Sequence, residues 1–285
     1  MKQPNKKTMK KIHVWVRAVI QLLYFLFIPS AYTAAFNGVK YIFTQMGAKT
    51  HLEVTSFVAA LIVLCVYTIV FGRFFCGFAC AFGSLGDAVR ALYVFICKKL
   101  KKKPITMKAA VVKKLQVVKY FVLAIIAVTC FTGVYSKAKG FSPWDVFSML
   151  HARNFKLGGY TLGVVLLVLI VIGMCFQERF FCRVLCPMGA VFSILPVLPF
   201  STLRRDRSEC IKGCRACTMK CPSDIELAPD TAPELSGDCF QCQKCIDTCP
   251  KENIHTGIRA LKGNEIWYTV LRAVILLILF KFVGL

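Results

Sequence analysis

Long apolar runs recur along this chain, each bordered by a basic stretch. The first covers roughly residues 13–36, after a basic N-terminal tail, 1–12, expected to be disordered. The run is long enough to cross a bilayer, with Arg17 near its inner end. Thr33-Ala34-Ala35 would pass as a signal-peptide cleavage site; the length of the run favours an uncleaved first helix instead. Further runs at about 54–71, 115–135 and 160–176 predict three more helices. Residues 88–97 alternate as an amphipathic helix before the run KKLKKK. The last apolar segment, 266–285, carries Arg272 and Lys281, which would have to snorkel in a short fifth span; an amphipathic helix flat on the inner surface is the alternative.

The pattern therefore predicts a mainly α protein: polytopic membrane helices, four or five spans over 13–200 and 266–285, plus a small soluble segment, 201–257. Composition agrees. The chain is 57% apolar, more than an ordinary soluble domain. Its formal net charge is +23, and most Lys and Arg flank the apolar runs. That distribution reads as membrane topology, and the basic residues do not interleave with a soluble aromatic platform, so nucleic acid is not the expected partner. Six basic residues precede or enter the first helix, ten lie between Arg73 and Lys114, and six are shared by the two opposite loops (Lys40, Lys49, Lys137, Lys139, Arg153, Lys156). The N-terminus, the Lys-rich loop and the soluble segment are expected in the cytoplasm, with the protein in the inner membrane.

Two of these helices end alike. Arg73-Phe74-Phe75-Cys76, Cys80 and Gly83 align with Arg179-Phe180-Phe181-Cys182, Cys186 and Gly189 at a constant offset of 106. The chain thus repeats a hairpin whose second helix closes in R-F-F-C-x3-C-x2-G, related by an axis along the membrane normal. Two C-x3-C pairs converging on that axis would gather Cys76, Cys80, Cys182 and Cys186. Four thiolates suit an iron–sulfur cluster, Cu(I) or zinc, or a pair of dithiol/disulfide couples; small buried hydrophobes are the bland reading. Cys65, Cys97, Cys130 and Cys175 have no partner spacing and read as core residues.

The densest chemistry lies in 210–250. Cys239, Cys242, Cys245 and Cys249-Pro250 form a C-x2-C-x2-C-x3-C-P run, the bacterial ferredoxin spacing, in which the fourth Cys ligates the other cluster. Cys210, Cys214, Cys217 and Cys221-Pro222 form a similar run with one extra residue after Cys210. The spacing predicts a double [4Fe–4S] domain of bacterial α+β type. One cluster would be held by Cys210, Cys214, Cys217 and Cys249, the other by Cys239, Cys242, Cys245 and Cys221. Zinc has no use for the third Cys and the C-P ending. The other chemistries are sparse. There are four His (His13, His51, His151, His255), none placed mid-helix for haem, and no nucleotide-binding fingerprint. His51 and His151, on the outer loops, are interfacial polar residues or proton acceptors for a quinol, with Ser142-Pro143-Trp144-Asp145 nearby. Arg204, Arg205, Lys212, Arg215 and Lys220 surround the first Cys group; Asp224, Glu226, Asp230, Glu234 and Asp238 precede the second. The basic face would steer an acidic soluble ferredoxin or flavodoxin, or contact lipid headgroups.

From about Leu22 to Pro250, the RFFC-x3-C repeat, Cys182-Arg-Val-Leu-Cys186-Pro187 and the double ferredoxin pattern resemble the NapH/NosR/CcoG group of membrane polyferredoxins. The resemblance implies electron transfer from quinol toward exported reductases, support of nitrous oxide reductase, or copper reduction in oxidase assembly. In the copper role it points to Cys182 and Cys186, and to Cys76 and Cys80. Ala81 stands where the group usually has Pro. The outer loops are too short for a NosR-type flavin domain, and the further C-terminal domain of CcoG-type proteins does not follow, so the NapH-like form fits best. Three functions remain in view: an electron carrier or quinol-dehydrogenase-like subunit rather than a stand-alone enzyme, a metal-handling reductase, and a redox-sensing module.

Overall fold

The computed structural model describes residues 6–155, 158–208, 210–229, 232–257 and 265–285; Lys2, Lys156 and Asp230 lie outside them. The architecture is mostly helical. Helix α1 (Lys6–Phe27) and α2 (Ala31–Ala48) form a pair bent by 60°. The first apolar run is therefore not one helix. Pro29 cannot donate to the helical ladder, and the chain breaks around it. The N-terminal residues from Lys6 onward are helical rather than disordered. Among the described residues, two helices are long and apolar enough to cross a membrane, 109–131 (α5, Ala109–Leu115, continued by α6, Val118–Phe131) and α12 (Glu265–Val283); the bent pair would make three. Helices α3 (Ser56–Phe71) and α8 (Thr161–Phe176) are apolar but only 16 residues each.

Local signals explain the ends. The Thr55 side chain accepts from Val58 N and caps α3, and Gly72 closes it at φ 66°. Ser142 caps the short α7 (Pro143–His151), whose Pro143 suits the first turn. After α3 and α8 the two repeats fold alike. Each passes through a single π turn, Phe75–Ala79 and Phe181–Leu185, and opens into a new helix, α4 (Ala81–Lys99) and α9 (Pro187–Ile194). In both, the second Cys closes the turn: Cys80 N donates to Phe75 O and Cys186 N to Phe181 O, each at 2.9 Å. One apolar core runs through the membrane helices and both π turns and takes in Phe240 and Cys242.

The segment from 201 to 257 is small and mostly irregular. It contains a two-stranded antiparallel sheet, β1 (Leu203–Arg205) with β2 (Ile254–Thr256), and two short helices, α10 (Ala216–Met219) and α11 (Lys244–Thr248). A separate small core of Leu203, Leu227, Ile254 and cysteines holds it together.

Candidate metal centre

Sulfur is gathered in three places. In the Cys-rich segment a small pocket is lined by Cys217, Cys221, Cys239, Cys242 and Cys245. The other grouping is tied by Asn253. Its side chain accepts from Cys249 Sγ at 2.8 Å and donates to Cys210 Sγ at 3.4 Å. Cys249 thus turns away from its own run toward Cys210, and Cys221 turns toward the second run. Cys210 Sγ also reaches Asp206 O at 3.6 Å. Arg205 Nη1 lies 3.6 Å from Cys217 Sγ.

The third grouping is Cys76, Cys80, Cys182 and Cys186. All four are buried, and they lie close enough to feel one another's charge. The π turns and helix starts hold them there. Cys186 Sγ accepts from Gly189 N at 3.1 Å, so a thiolate would sit at the favourable end of α9. Tyr32 packs beside it, its hydroxyl 3.8 Å from Cys186 Sγ. No disulfide joins any of the sixteen cysteines. Among the described residues, no three His, Cys, Asp or Glu side chains crowd closely enough to chelate a single ion. Of the unpaired set, Cys97 and Cys130 are buried, and Cys65 and Cys175 are half-buried.

The arginines of the repeat cross over. Arg179 lies 3.1 Å from where a side chain on Gly83 would begin, and Arg73 lies 3.1 Å from the equivalent point at Gly189. Each half's glycine therefore makes room for the other half's arginine. Both guanidinium groups face the Phe240 ring, Arg73 at 4.7 Å and Arg179 at 5.4 Å. Phe240 sits between two cavity cysteines, Cys239 and Cys242. It thus joins the Cys-rich segment to the buried core that contains Cys76, Cys80, Cys182 and Cys186. The halves differ where this requires it. Gly77 has no side chain, and Phe240 O would be 2.3 Å from one. The matching position, Arg183, reaches out to Asp224 at 3.0 Å.

Acids secure the junction. Asp87 holds Arg179 Nε at 3.2 Å, Gln21 at 2.8 Å and Lys244 at 3.6 Å; Lys244 also pairs with Glu178. Burial alone would raise the Asp87 carboxyl, but Arg179 and Lys244 outweigh it and hold it well below the usual carboxylate range. Asp238 accepts from Lys119 at 2.6 Å and Ser193 at 2.9 Å, and faces Arg73. Asp247 pairs with His13 at 2.6 Å and Arg17 at 2.9 Å. Asp224 and Asp238 are thus engaged within the molecule rather than free for a soluble partner. The residues that build the junction, Phe240, Asp87, Asp238 and Asp247, carry no motif; only Arg73, Arg179 and the two glycines were marked by the repeat. Elsewhere, His151 stands edge-on to Phe25 at 5.0 Å, Asp145 lies 3.9 Å from Lys40, and His51 is exposed.

The donor chemistry fits iron–sulfur groups. Burial pushes the Cys239, Cys242 and Cys245 thiols up, so thiolates there need a cationic metal centre to balance them. A family model described as a 4Fe-4S binding domain matches residues 54–104 and 160–198, the two C-x3-C repeats themselves. The chain is 25% identical over 216 residues to the ferredoxin-type protein NapH of Haemophilus influenzae, covering 72% of this chain and 69% of NapH. It is 30% identical over 185 residues to the protein NirI of Paracoccus denitrificans, 62% of this chain and 25% of NirI. By these matches the chain is similar, at modest identity, to the NapH/NosR-type polyferredoxins. An uncharacterized protein of Methanocaldococcus jannaschii is 33% identical over 190 residues, 67% of this chain and 66% of that protein. No solved structure matches. The chain thus joins a 4Fe-4S binding domain to helices long and apolar enough to cross a membrane.

Proposed function

We propose that this polyferredoxin carries single electrons between a cytoplasmic surface and the membrane through three thiolate sites. The reading is carried by one observation: Phe240, within the pocket's own Cys run, meets both arginines of the buried four-cysteine repeat. A [4Fe–4S] cluster, when bound, accepts and returns one electron. Cys210, Cys214, Cys217 and Cys249 would hold one, Cys239, Cys242, Cys245 and Cys221 a second, and Cys76, Cys80, Cys182 and Cys186 a third. The residues around them have distinct tasks. Arg73 and Arg179 bring fixed positive charge to the buried thiolates. Phe240, Phe75 and Phe181 exclude water, which strengthens those charges. Cys214 is exposed and flanked by exposed Lys212, Arg215 and Lys220, with Met219 77% accessible. That face suits an acidic soluble carrier such as a ferredoxin or flavodoxin, and basic steering speeds such encounters.

The four- to five-span arrangement, the inner membrane and the cytoplasmic Cys-rich domain (201–257) belong to this proposal, supported by the basic residues around the apolar runs. So does a quinol or an exported reductase as partner, which the kinship with NapH supports. Anaerobically prepared protein is expected to contain iron and sulfide and to show low-potential one-electron EPR signals; absence of both elements would end the proposal. Copper handling is the second reading, favoured by four soft, buried thiols. It requires that Cys182→Ser with Cys186→Ser abolish copper binding while the other EPR signals persist. A purely sensory role would instead show partner binding that follows oxidation, with no electron passed to quinone or metal.

A further inference from the structure

Arg272 was expected to snorkel from α12 to the interface. It is instead fully buried, 0% exposed, in the middle of a membrane helix. None of its three guanidinium nitrogens has a hydrogen-bond partner. Its contacts are ring faces, Phe74 and Tyr268, each at 4.6 Å. An uncompensated buried cation is among the costliest arrangements in a protein, so an anion is missing from its surroundings. No carboxylate supplies it among the contacts above. The α12 face that carries Arg272 packs on the second Cys run: Thr269, one turn earlier, donates to Gln243 Oε1 at 2.9 Å. Gln243 lines the cavity of Cys239, Cys242 and Cys245, and Arg272 lies within electrostatic reach of Cys239.

We infer that Arg272 is the buried counter-charge of the cluster site at Cys221, Cys239, Cys242 and Cys245, a positioning residue that makes this site easier to reduce. The inference rests on the proposed iron–sulfur reading of those four cysteines. Four thiolates and a [4Fe–4S] core are anionic together, and one-electron reduction makes them one unit more negative. The electron comes from a low-potential one-electron donor, and no bond is made or broken. A fixed guanidinium in a dry site stabilises the reduced form more than the oxidised form and needs no proton to do so. The ring faces of Phe74 and Tyr268 hold the cation without neutralising it, which leaves its field directed at the thiolates.

The test is a dithionite titration of the full-length protein in detergent, followed by EPR, on wild type, Arg272→Met, Arg272→Gln and Arg272→Lys. Cys239→Ser identifies which signal belongs to this site. The neutral variants are expected to shift its reduction equilibrium at least about tenfold against the reduced form, ~59 mV for one electron. The signal of the site at Cys210, Cys214, Cys217 and Cys249 should stay in place, and Arg272→Lys should stay close to wild type. Should Arg272→Met not load iron, Gln against Lys reads the same charge difference in polar side chains. An unmoved signal in the neutral variants, an equal shift of both signals, or a Lys variant that behaves like Gln would overturn the inference. Iron-free wild type would instead overturn the iron–sulfur reading beneath it.

Discussion

The junction between the Cys-rich segment and the buried four cysteines depends on the missing side chain at Gly77, and Gly77→Ala tests it. A methyl there would lie 2.3 Å from Phe240 O and 3.6 Å from Cys242 N. Comfortable carbon contacts begin near 3.5 Å, so the loop must retreat by roughly 1 Å. Neither neighbour is a flexible side-chain end; both are backbone, fixed by the π turn and the Cys run. Overpacking of this kind costs about 1–3 kcal/mol, on the order of 5- to 150-fold in the docked population. Gly158→Ala is the control, since nothing lies within 4 Å of its added methyl. Hydrogen exchange over residues 239–245 should speed up markedly in Gly77→Ala and stay unchanged in Gly158→Ala, with iron content kept in both. Equal protection of the loop in Gly77→Ala and wild type would refute the docking contact.

Further outcomes follow from the same geometry. Asp87→Asn leaves Arg179 and Lys244 without their shared carboxylate; thermal unfolding should register a loss of up to about 3–5 kcal/mol, the cost of breaking a buried pair. The same carboxyl sets a pH window. Its folded value is depressed, so its stabilisation is complete above the ordinary aspartate value of about 4 and is lost as pH falls toward the folded value. The gap in melting temperature between wild type and Asp87→Asn should accordingly be constant from pH 7 to 5 and narrow below pH 4. The exchanged fourth cysteines make another prediction. Cys249→Ser should remove the same EPR signal as Cys210→Ser, and Cys221→Ser the same as Cys239→Ser; pairing of Cys249 with Cys239 would contradict the arrangement around Asn253.

What could be read from the chain was what repeats or follows a spacing rule. The 106-residue offset marked Arg73, Arg179, Gly83, Gly189 and the two C-x3-C pairs, and the π turns place them in matching roles. The ferredoxin spacing assigns Cys249 and Cys221 each to the other run's cluster; Cys249 lies with Cys210 about Asn253, and Cys221 lines a pocket with Cys239, Cys242 and Cys245. What was not legible is non-local. Phe240 looks like any residue of a Cys run until Arg73 and Arg179 close on it from segments more than 60 residues away. Asp224 and Asp238 stood out only as acids preceding the second Cys group; their pairing with Arg183, Lys119 and Arg73 carries no local signal. Apolar periodicity runs unbroken through Pro29, so it could not show the bend between α1 and α2. It also treated Arg272 as a charge that must snorkel; a buried aromatic niche of Phe74, just before the first π turn, and Tyr268 of its own helix was available instead.

Iron counting on protein purified without oxygen tests the central claim most directly, because each four-thiol site makes its own contribution. Three cubane sites predict about twelve iron atoms and as many sulfides per chain, falling by about four when Cys76, Cys80, Cys182 and Cys186 are all replaced by Ser. A count of about eight that the same replacement leaves unchanged would contradict the relay, leaving the buried four cysteines with no iron to carry electrons beyond Phe240.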